Sequence, residues 1–235
     1  MIRRSRSTRR APEEQADQFL AVTLARTIWD NLPLLLVIDA ALAVAAFPAL
    51  LAGGFGALWL APMLAALLMG PLWISAIAVS RKLLDGDGVT TRTFIQTVRE
   101  HGWLGVRLAI VPGGLLTLLL ATLELYGRNE GQGWMLLPVA VDGLLALAAI
   151  VLFFPASLLA AADGDAGKEL WKRAALLAGL SPMATLGLLA GLATVWIIAQ
   201  VVGPLAIVLL AGPVALFTVA VFRWALAAHG IERES

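Results

Sequence analysis

The sequence predicts an all-α fold: a polytopic bundle of about six transmembrane helices, with short amphipathic helices in its cytoplasmic loops. Three observations predict it. Hydrophobic residues make up 60% of the 235 and charged ones only 14%, at a mean hydropathy of +0.87, which is too apolar for a soluble domain of ordinary composition. Residues 40–80 and 174–222 carry no charge at all. The basic residues fall almost entirely in alternate connections between the apolar runs, as they do when one side of the membrane retains them.

Residues 1–31 read as an Arg-rich cytoplasmic tail with an interfacial segment. Arg3 and Arg4 suggest a twin-arginine leader, but Glu13, Glu14 and Asp17 follow where its apolar core would begin. The first charge-free run is twice the ~20 residues a span needs and is broken by Gly53-Gly54, so it reads as a hairpin. Span one is placed at Leu32 to Ala52 and span two at Ala57 to Ser80, stopped by Arg81-Lys82. Span three covers Leu104 to Tyr126. Span four begins at the interfacial Trp134 and reaches Ala162, with Pro155 allowing a kink. The second charge-free run divides around Gln200 to Pro204 into span five, Pro182 to Ala199, and span six, Pro204 to Phe222. The membrane domain is thus 32–223, and 224–235 is a second cytoplasmic tail.

Orientation follows from the basic residues. With six spans, all of the 17 except Arg128 lie on one side, which places both termini in the cytoplasm of a bacterial inner membrane. A five-span arrangement puts Arg223 and Arg233 outside and loses that asymmetry.

Two cytoplasmic loops share a plan. Asp85-Gly86-Asp87-Gly88 and Asp163-Gly164-Asp165-Ala166 each end a span, and each leads into an amphipathic stretch. In the first, Thr90 or Thr91 caps a helix with Phe94, Ile95 and Val98 on one face and Arg92, Gln96 and Arg99 opposite. In the second, Leu170, Trp171, Ala174 and Leu177 oppose Lys168, Lys172 and Arg173. Such helices lie along the interface and turn their basic faces to anionic lipid headgroups or to a partner protein. The repeated Asp-Gly also suggests a calcium loop, but neither copy supplies a third ligand and a bidentate glutamate, so turn and cap chemistry is preferred. The segments Gly70-Pro71 to Arg81 and Gly212-Pro213 to Arg223 match one another, as an internal duplication or as shared membrane composition.

The intramembrane acids Asp39, Glu124 and Asp142 are the candidate polar site, because an ionisable group in hydrocarbon is costly unless paired or wetted. Asp39 and Asp142 differ in height by roughly 8 Å. They read either as two steps of a proton or cation path or as carboxyls hydrogen-bonded to neighbouring helices, with Ser75, Ser157, Thr117, Thr122 and Thr194 as available partners, and the structural reading is favoured. Glu124 is expected near the hydrated outer interface.

No catalytic, cofactor-binding or metal-ligating set is legible. The chain has no cysteine, which removes thiol catalysis and thiolate metal sites, and His101 and His229 are too few and too far apart for a cluster. No catalytic triad, phosphate loop or nucleic-acid motif is present.

The stretch Arg26-Thr27-Ile28-Trp29-Asp30-Asn31-Leu32, the Gly70-Pro71 helix ending in Val79-Ser80-Arg81-Lys82-Leu83-Leu84, and the Asp/Gly turn before Thr93-Phe94 resemble the YesL-like family of bacterial multi-pass membrane proteins of unknown function. That resemblance implies a six-span, non-enzymatic accessory of carbohydrate transport machinery and carries no catalytic residues. The longer Arg-rich N-terminus and the Ala-, Leu- and Gly-rich spans depart from it. Glu100-His101-Gly102 and Ile110-Val111-Pro112 echo the coupling helix of ATP-driven importer permeases without its alanines or spacing. A small transporter or permease subunit using the intramembrane acids is the alternative expectation.

Overall fold

The computed structural model describes residues 22, 24–128, 133–202 and 210–228. Residues 24–30 are helical, and a turn at Asn31 leads into α1, Leu32–Gly54. The remaining helices are α2, Ala61–Leu84; α3, Thr91–Arg128; α4, Leu136–Asp163; α5, Lys168–Leu180; α6, Pro182–Val202; and α7, Ala211–Ala228. Short 3₁₀ turns at Leu58–Leu60 and Gly133–Met135 precede α2 and α4. Among the described residues there is no strand. The expected Arg-rich tail up to residue 21, the division at 203–204 and the tail from His229 onward lie outside the described residues.

Among the described residues four helices are long and apolar enough to cross a membrane: residues 32–54, 58–84, 91–128 and 136–163. A fifth crossing is possible if α5 and the first part of α6, which meet at 94°, count together. The apolar part of α7, Ala211–Arg223, is shorter than a span, about 20 Å at 1.5 Å per residue. The described part of the last apolar helix begins at Ala211 and runs past Phe222, and the expected start at Pro204 lies outside the described residues.

Helix ends follow local chemistry. Pro33 and Pro62 open α1 and α2, where a missing N–H costs nothing. Gly86 (φ +83°) and Gly164 (φ +70°) adopt the left-handed conformation that ends α2 and α4, as the repeated Asp-Gly predicts. At the first turn the Asp87 N–H also donates to the Lys82 carbonyl. Thr90 caps α3 through mutual 3.4 Å contacts with Thr93, and Asp165 Oδ1 accepts from the N–H groups of Ala166 and Gly167 ahead of α5. Of these carboxylates Asp165 caps a helix, the chemistry preferred over a calcium loop, while Asp85 and Asp163 pair with Arg223 and Arg173.

α2 is the centre of the bundle. Its residues from Ile74 to Ser80 are all buried, and it packs against α1, α3, α4 and α7. Its most extensive partner is α3, along a seam of small residues: Pro62, Ala66 and Gly70 face Gly113, Ala109 and Gly105. A Cβ on Gly70 would lie 2.7 Å from the Gly105 carbonyl oxygen, and one on Gly105 would strike the Gly70 carbonyl directly. Backbones approach this closely in a membrane because apolar side chains gain little by leaving lipid, and van der Waals contact must supply the attraction.

The two amphipathic stretches differ from expectation in different ways. The first is no separate interfacial helix: α3 is unbroken over 38 residues, about 57 Å, so Thr91 to Trp103 continue without a break into the third span. Ile95 does not share the buried face either. It is 50% exposed, and Thr97 replaces it beside Phe94, because the buried line runs Phe94, Thr97, Leu104, Leu108 at helical spacing. Glu100-His101-Gly102 likewise lies inside α3 and not in a loop. The second stretch is the separate helix expected, with Leu170, Ala174 and Leu177 buried. However, Leu170 and Ala174 pack on Ile74, Leu104, Leu108, Ala156 and Ala160, so its apolar face rests on protein where lipid was expected.

The two matching segments, from Gly70 and from Gly212, lie on helices that pack together, and Arg223 reaches Asp85 at 2.6 Å. The pair is about half exposed and contributes little energy, yet it places the end of α7 beside the α2–α3 turn. Since the chain has no cysteine, Asp85→Cys with Arg223→Cys is expected to form a bridge with a short bis-thiol reagent, read as a mobility shift in membranes. Gly105→Ala is expected to destabilise by about 1–3 kcal/mol through overpacking. Gly114→Ala, which meets nothing within 4 Å, is expected to be neutral or slightly stabilising, both read as unfolding midpoints in detergent.

Candidate intramembrane site and basic face

Asp39 sits two turns into α1 and is 2% exposed. The backbone N–H of Gly212, in the first turn of α7, donates to its Oδ1 at 2.5 Å. The acid therefore caps the start of another helix from 173 residues away in sequence. Both partners gain: the first N–H groups of a helix have no internal acceptor, and the positive end of the helix dipole favours a carboxylate. Gly212 is required by the closeness, since a Cβ there would lie 3.1 Å from Asp39 Oδ1 and 3.3 Å from the Leu35 carbonyl.

Asp142 has a different partner on a different helix pair. Thr122 Oγ1 of α3 donates to its Oδ2 at 2.7 Å, one of the partners foreseen from composition. Ser75, Ser157 and Thr194 instead donate to the carbonyls of Pro71, Phe153 and Ala190, one turn back on their own helices. Glu124 pairs with Arg128 along α3 and is partly exposed. The three acids are thus not gathered into one site: each is satisfied locally, Asp39 between α1 and α7, Asp142 between α3 and α4, Glu124 within α3.

The five candidate basic residues, Arg92, Arg99, Lys168, Lys172 and Arg173, are all exposed. Lys172 pairs with Glu169 at 2.6 Å and Arg173 with Asp163 at 3.1 Å. Arg92, Arg99 and Lys168 have no partner among the described residues. On the outer face of α3, Arg92, Ile95, Arg99 and Trp103 form a stripe at helical spacing, with Trp103 73% exposed. The sequence suggests the arginines of this stripe but not its apolar members, because Ile95 reads equally well as core.

A feature that composition does not disclose is an apolar cavity of about 500 Å³ among α1, α2, α3, α4, α6 and α7. Small residues such as Ala46, Ala65 and Ala109 line one part of it and Trp73, Phe153 and Phe154 another. The three rings pack at 5.8–6.3 Å, and the indole N–H of Trp73 donates to Ser157 Oγ at 3.2 Å. No group of three or more His, Asp or Glu able to hold a metal occurs among the described residues.

What fold and site together define, among the described residues, is an all-helical protein with four helices long and apolar enough to cross a membrane. Comparison with known protein families, with curated proteins and with solved structures gives no match.

Asp39→Ala is expected to cost about 1–3 kcal/mol, because it leaves the Gly212 N–H buried without an acceptor. Asp39→Asn keeps an acceptor oxygen and loses less. Asp142→Asn is expected to be nearly silent, since its amide oxygen still accepts from Thr122. Unfolding midpoints of the three variants in one detergent give the order.

Proposed function

We propose that this is a non-enzymatic accessory protein of a bacterial inner membrane, with six spans and both termini cytoplasmic, that binds a partner subunit of transport machinery through its basic face. The observation that carries this reading is the stripe Arg92, Ile95, Arg99 and Trp103, exposed on α3 with Lys168 available on α5. Arg and Trp are the residue types most enriched where proteins bind one another. The residues these two stretches bury, Phe94 and Thr97 on α3 and Leu170, Ala174 and Leu177 on α5, are packed on the bundle, so the basic residues are carried on faces that point away from it. An acidic protein surface is the matching partner. Carbohydrate uptake as the setting rests on the resemblance to the YesL-like family alone.

Six spans and cytoplasmic termini are supported by the charge asymmetry and by the Arg223–Asp85 contact, which joins the end of α7 to the basic α2–α3 turn. The alternative, a transporter working through its intramembrane acids, is less well supported. Asp39 already occupies the helix N-terminus that in a transporter would face an anionic substrate.

Purification from native membranes tests the reading. A polytopic transport subunit is expected to be retained, and Arg92→Glu with Arg99→Glu is expected to weaken its retention at least about tenfold, since losing one side of an interfacial charge pair typically costs about 2–5 kcal/mol. Recovery of lipid alone, or retention unchanged by the double variant, overturns it. Reporter fusions at both termini are expected to be active only in the cytoplasm.

A further inference from the structure

We infer that the apolar cavity is a lipid-binding slot that takes one hydrocarbon chain of a bilayer lipid. Its long dimension follows α2 from Pro62 to Trp73, about 16 Å at 1.5 Å per residue. That is half of a hydrocarbon core about 30 Å thick, the depth of a single leaflet. The volume of about 500 Å³ falls within the usual range for small-ligand sites, about 300–1,000 Å³.

The walls decide the chemistry of the occupant. They are built from aliphatic and aromatic side chains, alanines and glycines, with no acid, base or amide among the lining residues. The one strong side-chain donor there, the Trp73 indole, is already bound to Ser157, and the Ser157 hydroxyl donates to the Phe153 carbonyl. A headgroup, sugar or ion entering would lose its hydration with nothing in exchange. A saturated chain loses nothing.

The route of entry is on the same surface. Leu50 lines the cavity and is also 58% exposed on the outside of α1, so the slot is continuous with the surface that faces lipid. The walls of the slot offer water no hydrogen-bond partner. The adjoining bilayer supplies the chain at high concentration.

The test uses the full chain in vesicles of phosphatidylethanolamine and phosphatidylglycerol doped with a phospholipid bearing a diazirine on one acyl chain. After irradiation, adducts are expected on Met69, Phe153 or Val214 inside the slot and also on the outward-facing Leu144 and Leu147 of α4. Ala46→Phe with Ala65→Phe fills the slot, and it is expected to abolish the inner adducts while leaving those on Leu144 and Leu147 unchanged. An unfolding transition in detergent like that of the wild type confirms that the variant has folded. If that pair fails to fold, Val195→Phe fills the slot from α6 and is read the same way. Adducts confined to Leu144 and Leu147 in the wild type, or inner adducts that survive filling, overturn the inference.

Discussion

The contact between α2 and α3 at Gly70 and Gly105 is the constraint on which the rest of the bundle depends. Where two backbones touch, no side chain stands between them, and the helices stay in contact through the rows Pro62, Ala66, Gly70 and Gly105, Ala109, Gly113. With α3 held so tightly on one side, the opposite faces of α2 are free for α1, α4 and α7. The same thrift in side-chain volume has a second effect. Ala65, Ala66, Gly70, Ala109 and Gly113 are too small to fill the space beside the seam, and the apolar cavity is what remains there. Close packing and an internal slot are two outcomes of one run of small residues.

Polar groups inside the bundle work as fasteners between helices. Asp39 ties α1 to α7, Asp142 ties α3 to α4 through Thr122, and Trp73 ties α2 to α4 through Ser157. Each bond joins elements that lipid alone would not hold together, since hydrocarbon offers apolar helices no reason to associate. Asp39 has a further role, because the described α7 begins partway along the bundle and its first N–H groups open into protein. A carboxylate at that point does for α7 what water does for a helix end at a surface.

At the other end of α2 the chain divides its amphipathic residues by face. Phe94, Thr97, Leu170 and Ala174 go inward and lock α3 and α5 to the ends of α2 and α4, while the arginines and lysines go outward. Two basic residues of α5 are neutralised by neighbouring acids, Lys172 by Glu169 and Arg173 by Asp163. Arg92, Arg99 and Lys168 are left to meet whatever lies beyond the surface, which makes the outer face of α3 the strongest candidate for a contact with another molecule.

By itself the sequence determined what depends on local composition and spacing. Charge-free runs mark apolar helices because lipid tolerates few charges, and the helices at Leu32, Ala61, Leu136 and Pro182 begin within a few residues of the places so marked. Asp-Gly marks the turns at Gly86 and Gly164 because only glycine adopts a positive φ without cost. Leu170, Ala174 and Leu177 mark a buried face because they recur at helical spacing. Tertiary structure decided what depends on partners distant in the chain. Ile95 lies outside and Thr97 inside because burial is set by which face is covered, and a β-branched apolar residue next to Phe94 carries no information about that. Nothing near Asp39 names Gly212, and nothing near Gly105 names Gly70, because a backbone N–H or a bare Cα looks the same at every position until folding brings one opposite the other. The cavity is least legible of all, since an unfilled volume belongs to no residue and exists only between helices once they have packed.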